Sequence, residues 1–136
     1  MRIAVWSGPR NLSTALMYSF AARGDCAAMD EPFYAAYLAA TGLDHPMRDA
    51  VLTSQPTDPV AVAAHCAALP PDGFAHVYQK HMTHHMQPGF PRDWMRDCRH
   101  AFLIRDPVRV IASYTAKRER VTLDDIGLPQ QAALFD

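Results

Sequence analysis

Two short stretches carry residue types suited to holding an anion. "WSGPRNLSTAL", residues 6–16, places Gly8, Arg10, Ser13 and Thr14 where an apolar run gives way to a helical pattern. "FLIRDPVRVIASYTAKRE", residues 102–119, places Arg105 after a second apolar run and Ser113 eight residues on, inside the next helical pattern. A helix N-terminus offers unpaired N–H groups and a partial positive charge. An arginine takes phosphate oxygens bidentately, and a hydroxyl adds one more hydrogen bond. Gly8 permits an unusual turn and Arg10 supplies a fixed cation. Counted from Gly8 against G-x-x-x-x-G-K-[ST], however, Ser13 falls on the second glycine, Thr14 on the lysine and Ala15 on the hydroxyl position. The loop therefore lacks the lysine and the magnesium-binding hydroxyl of an ATP-hydrolysing site. Taken singly, the first stretch also reads as a strand–turn–helix with a capped end, and Arg105 as a partner for Asp106. Two anion-holding junctions on one sheet edge are the stronger pattern.

Strands and helices must position these groups. "IAVWS" (3–7), bounded by Gly8-Pro9, reads as a buried parallel strand. A helix is expected from Ser13 to about Arg23, with Leu16, Met17 and Phe20 on its buried side and Gly24 at its stop. "CAAM" (26–29) is a second strand and leads directly into "DEPF". Residues 33–69 are alanine-rich and helical in character, broken near Gly42–Pro46 and at "QPTDP". There Asp58 and Pro59 form an N-cap and first-turn pair. After the turn Pro70–Gly73, residues 74–80 predict a third strand, "PRDWMRD" one or two helical turns, and residues 100–105 a fourth strand. Beyond Asp106-Pro107, the spacing of Val108, Ile111, Ala112 and Thr115 predicts a buried helix face, with Arg109, Ser113, Lys117 and Arg120 on another. A short amphipathic piece, "PQQAALFD", ends the chain. Strands alternating with helices predict an α/β fold: a three-layer parallel sheet with helices on both faces. Ligands of such sheets bind at the carboxyl ends of the strands.

Composition narrows the classes. The 136 residues suffice for one domain with a real core, and 49% hydrophobic with 20% charged residues is ordinary for a globular chain. A net charge of -1 provides no global field to recruit nucleic acid or a membrane surface, so an anion site must be local. The apolar run near Met1 is too short for a secretory segment. Cys26, Cys66 and Cys98 share no metal-like spacing and read as reduced thiols of a cytoplasmic protein. Cys98, between Arg96 and Arg99, reads as a passive thiol. Nothing in the sequence sets an oligomeric state.

The two stretches resemble the sulfotransferase family, whose members use 3′-phosphoadenosine 5′-phosphosulfate (PAPS) as donor on a P-loop NTPase-like fold. Its 5′-phosphosulfate loop reads P-[KR]-S-G-T-T or similar. "PRNLST" (9–14) falls in that register, with Pro9, Arg10, Ser13 and Thr14 matching in kind and Asn11 and Leu12 departing. Its 3′-phosphate motif, an arginine after a strand and a serine eight residues on, is matched by Arg105 and Ser113; "RDP" followed by "SY" strengthens the match. The resemblance implies a donor site of Gly8, Pro9, Arg10, Asn11, Ser13, Thr14, Arg105 and Ser113, a small-molecule acceptor, and no metal. It also implies a single domain over 1–136 that lacks the C-terminal part of the family fold, either as a naturally short product or as an N-terminal fragment.

Sulfuryl transfer needs a base for the acceptor proton and cations on the oxygens that gain charge. Arg10 is the candidate cation. "YQKHMTHH" offers Lys80, His81, His84 and His85, and "MDEPF" offers Asp30 and Glu31. His81, following Lys80 at the expected end of the third strand, is the first candidate base and Glu31 the second. A metal site on the histidines lacks a completing carboxylate or cysteine. Two other readings stand beside the sulfotransferase: a P-loop-class nucleotide or metabolite kinase, and a non-catalytic nucleotide-binding module.

Overall fold

A computed structural model describes residues 1–116 and 122–136; Lys117 and Arg120 lie outside the described residues. Four strands, β1 (Arg2–Ser7), β2 (Cys26–Asp30), β3 (His76–Met82) and β4 (Cys98–Leu103), form one parallel sheet in the order β2-β3-β1-β4. β1 lies between β3 and β4, and its Ala4–Ser7 are buried, which explains its unbroken apolar run. Trp6 is in register with His81 on one side and Phe102 on the other.

Alternation along β1 sends side chains into two cores. On one face, α1 (Ser13–Ala21) packs Met17, Leu16 and Phe20 against Val5 and Tyr78, with the Phe20 and Tyr78 rings 4.7 Å apart. On the other, α4 (Pro59–Ala67) and a 3-10 turn at Asp93–Asp97 cover Ala4 and Trp6 with Val62, Ala63, Cys66 and Trp94. The three-layer α/β expectation thus holds. Helices α2 (Tyr34–Thr41) and α3 (Arg48–Ser54) fill the span before α4. As expected, the Asp58 carboxylate accepts from the Val60 and Ala61 amides, with Pro59 opening the helix.

Two strands are displaced by two residues from the sequence reading, the other two agreeing to within one residue. β3 starts and ends two residues later than predicted, because its apolar neighbours bury it through Met82; Lys80 and His81 are therefore inside the strand. β4 starts and ends two residues earlier, leaving Arg105 two residues beyond the strand.

α5 (Pro107–Thr115) corrects a third expectation. Val110 is its buried residue, whereas Val108 is 73% and Ile111 42% exposed, and Ala112 and Thr115 are also exposed. Periodicity defines which residues share a face, not what covers it. At 3.6 residues per turn, Val110 and Ser113 lie on the side opposite that stripe, and that side turns toward the Gly8–Thr14 loop. After Thr122, α6 (Leu123–Ile126) and α7 (Leu128–Phe135) return across the sheet edge. Ile126 is buried, and buried Gln131 donates its Nε2 hydrogen to the Leu103 carbonyl at 3.0 Å.

The three cysteines are buried and unbridged. Burial pushes the Cys66 thiol up to about 12 and raises that of Cys98 despite nearby Arg2, so both stay protonated and passive. Among the described residues no helix is long and apolar enough to cross a membrane.

Candidate functional site

The two sequence motifs meet. Arg10, Asn11, Ser13, Thr14 and Arg105 line one pocket of about 400 Å³ with Leu12 and Ala15. The Arg105 guanidinium donates to the Arg10 carbonyl at 2.7 Å, and Arg10 Nε donates to Ser113 Oγ at 2.9 Å. Asp106 is not the partner of Arg105; its carboxylate caps α5 by accepting from the Val108 amide at 2.8 Å. Arg10 and Arg105 are exposed at the pocket, and among the described residues neither is paired with a carboxylate.

The loop is bent by residues other than the expected one. Gly8 has no positive φ; Arg10 (φ 66) and Leu12 (φ 58) occupy the left-handed region. Such strain in non-glycine residues persists where surrounding contacts over-determine it. Asn11, a departure from the family motif, ties the turn by donating to the Gly8 carbonyl at 3.2 Å. Leu12 is the N-cap of α1 and offers no side-chain acceptor, so the first-turn amides are not capped as they are in α4. They remain without a side-chain cap, the condition in which helix N-termini elsewhere receive anions. Gly8 is needed for closeness instead: a Cβ there would stand 2.3 Å from the Ile126 carbonyl oxygen. Gly127 abuts Thr83 in the same way, and Thr83 Oγ1 donates to the Gly127 carbonyl at 2.8 Å. Residues 122–136 thus fasten the ends of β1 and β3, a tertiary contact that no local sequence signal announced.

The candidate bases fall in different surroundings. His81 is 2% exposed, its ring stacked on Trp6 at 4.5 Å and close to Trp94 and Phe33. Burial, reinforced by His100, pushes its pKa down to about 3. His81 is a neutral core residue that the fold does not bring to the Arg10 pocket. Glu31 stands just past β2 with φ 46, its side chain 26% exposed. Its carboxylate receives Lys80 Nζ at 2.6 Å, while Asp30 receives the same ammonium at 2.7 Å. Burial alone would lower the Lys80 pKa, but the hydrogen bonds it donates to Asp30 and Glu31 outweigh it and hold the lysine charged. Beyond β3, His85 is sandwiched between Tyr34 and Tyr37 at 4.9 and 4.8 Å, and burial drives its pKa well below the ordinary value. Among the described residues no three His, Cys, Asp or Glu side chains gather to hold a metal ion.

Against known proteins, the chain matches the sulfotransferase domain along residues 1–136. It belongs to that family. It is 35% identical over 133 residues to branched-chain-amino-acid aminotransferase-like protein 2 of Arabidopsis thaliana, covering 98% of this chain and 23% of that protein. It is 39% identical over 130 residues to the corresponding protein 1, covering 96% of this chain and 23% of the relative. The chain thus spans less than a quarter of the length of these relatives. No solved structure gives a significant match. The α/β sheet of this sulfotransferase-domain chain carries its paired arginine motifs at the carboxyl ends of β1 and β4, the edge on which α/β folds bind ligands.

Proposed function

We propose that this chain binds PAPS across the β1 and β4 ends and transfers its sulfuryl group to a hydroxyl or amine of a small-molecule acceptor. One observation carries the reading: Arg105 and Ser113 of the second motif both hydrogen-bond to Arg10 of the first, some 95 residues away, and Arg10 and Arg105 line one pocket. In this reading Ser13, Thr14 and the uncapped α1 amides take the 5′-phosphosulfate, and Arg105 with Ser113 the 3′-phosphate. Gly8 and Pro9 start the turn, and Asn11 holds it.

Glu31 is the base in this reading. It is partly exposed at a strand end, whereas His81 is sealed in an aromatic core. As the acceptor oxygen bonds to sulfur, Glu31 takes its proton. The bond from sulfur to the 5′-phosphate oxygen breaks, and its electron pair stays on that phosphate. Arg10 and the α1 amides stabilise the charge arriving there. Lys80 holds the Glu31 carboxylate in place.

Titration calorimetry with 3′-phosphoadenosine 5′-phosphate tests the donor half, with AMP and Mg-ATP as comparisons. Binding of the bisphosphate well above AMP supports the reading. Equal affinities would remove the 3′-phosphate site, and preference for Mg-ATP would favour a kinase.

A further inference from the structure

We propose that Arg105 is a positioning residue for the 5′-phosphosulfate loop as well as a 3′-phosphate ligand, so that a nucleotide with no 3′-phosphate still depends on it; this rests on the donor reading above. Two groups of the β4–α5 segment clasp Arg10. Its carbonyl accepts from the Arg105 guanidinium at 2.7 Å, and its Nε donates to Ser113 Oγ at 2.9 Å. One bond fixes the backbone of residue 10 and the other its side chain. The partners lie 95 and 103 residues away in sequence, so neither bond belongs to the loop's own local preferences.

The loop needs such a clasp. Arg10 at φ 66 and Leu12 at φ 58 hold a left-handed backbone that a Cβ disfavours. Asn11 ties the turn only from within, through its 3.2 Å bond to the Gly8 carbonyl. Leu12 is the N-cap residue of α1, so residues 10–12 set the angle at which the chain enters the helix. That angle places the Ser13 and Thr14 groups. Asn11 and Arg105 also line a closed space of about 10 Å³ against Val110 and Ile126, room for one water at most. Loop and α5 therefore meet with no solvent layer between them.

One side chain can serve both roles. A guanidinium carries five N–H donors, and the Arg10 carbonyl takes one. Asp106 caps α5 instead of pairing with Arg105, so the outer donors are open to a phosphate. Ser113 Oγ accepts from Arg10, which leaves its own hydrogen to donate. A phosphate on Arg105 and Ser113 would thus engage the very groups that hold Arg10, coupling the two ends of the donor through that residue.

The test is titration calorimetry of the 136-residue chain with adenosine 5′-phosphosulfate, which carries the 5′ group and no 3′-phosphate. Arg105→Ala should raise its Kd about tenfold, although the ligand has nothing for a 3′-phosphate site to hold. Arg105→Lys, which keeps the cation and a donor, should recover part of that loss. Arg109→Ala removes an equal charge from an exposed position on α5. It should leave the Kd within about twofold in about 0.15 M salt, where separated surface charges are screened. Unchanged affinity in Arg105→Ala, an equal loss in Arg109→Ala, or no binding to the unaltered chain would overturn the proposal. If Arg105→Ala does not fold, Arg105→Lys decides: a loss of about threefold supports the positioning role, and none overturns it. The donor reading fails separately. If 3′-phosphoadenosine 5′-phosphate binds the unaltered chain no tighter than AMP, the 3′-phosphate site is lost, yet dependence of adenosine 5′-phosphosulfate on Arg105 would still stand.

Discussion

On the β1–β4 half of the sheet edge, Arg10 and Arg105 are exposed and the polar groups reach each other through loops: Arg105 to the Arg10 backbone, Arg10 to Ser113. On the β2–β3 half Lys80, His81 and His85 are buried along or just beyond the strands, and each is settled by its surroundings. Lys80 is held between Asp30 and Glu31, while His81 and His85 are kept neutral among aromatic rings. An exposed arginine without a carboxylate partner among the described residues can give its charge to a ligand. A buried lysine must be compensated internally, so its charge positions a neighbour. In the proposed reading one half binds and the other orients.

The sharpest break of that contrast lies at Glu31. Glu31→Gln should lower turnover by about 10²–10⁴-fold with an identified acceptor, the range for general-base help, and leave bisphosphate affinity unchanged. Comparable loss in His81→Phe, with Glu31→Gln active, would reverse the roles. On the binding half, Arg105→Ala should weaken 3′-phosphoadenosine 5′-phosphate by about 1.5–3 kcal/mol, as for hydrogen bonds to charged groups, with Ser113→Ala costing less by calorimetry. A ligand-free Arg105→Ala protein that unfolds would mark the arginine as structural instead.

Gly8→Ala probes how the halves are fastened. Its Cβ would meet the Ile126 carbonyl, backbone against backbone, so denaturant unfolding should show a loss of about 1–3 kcal/mol, the range for overpacking. Bisphosphate affinity should fall with it, although Gly8 offers the anion no side chain. An unchanged affinity would uncouple the donor loop from residues 122–136. A last probe concerns pH. His81 is neutral in the fold with its pKa at about 3, whereas the unfolded chain takes up that proton near its ordinary value of 6.5. Stability is therefore complete above about pH 6.5 and falls toward pH 3, by about 1.4 kcal/mol per pH unit for each such histidine. His85 adds in the same direction. Denaturation midpoints at pH 7.5, 6 and 5 should show the slope, and His81→Phe should reduce it.

Local chemistry made much of this legible. The β1 run and the Asp58-Pro59 start of α4 each depend on neighbours within a few residues, so the sequence alone determined them along with the α/β class. Burial and docking were decided only in three dimensions. Whether Lys80 and His81 end β3 or lie inside it depends on what packs over them, and two residues of difference turned a candidate base into a core ring. The stripe Val108, Ile111, Ala112 and Thr115 was correct as a face and wrong as a buried one, because amphipathic spacing cannot name a partner. Gly8 was legible as a special position but for the wrong reason: the sequence suggests a turn, and the fold uses the missing Cβ to admit the Ile126 carbonyl from 118 residues away. Backbone and side-chain preferences act over a turn or two and are written in the order of residues, whereas close approach is a property of surfaces that meet only after the chain has folded.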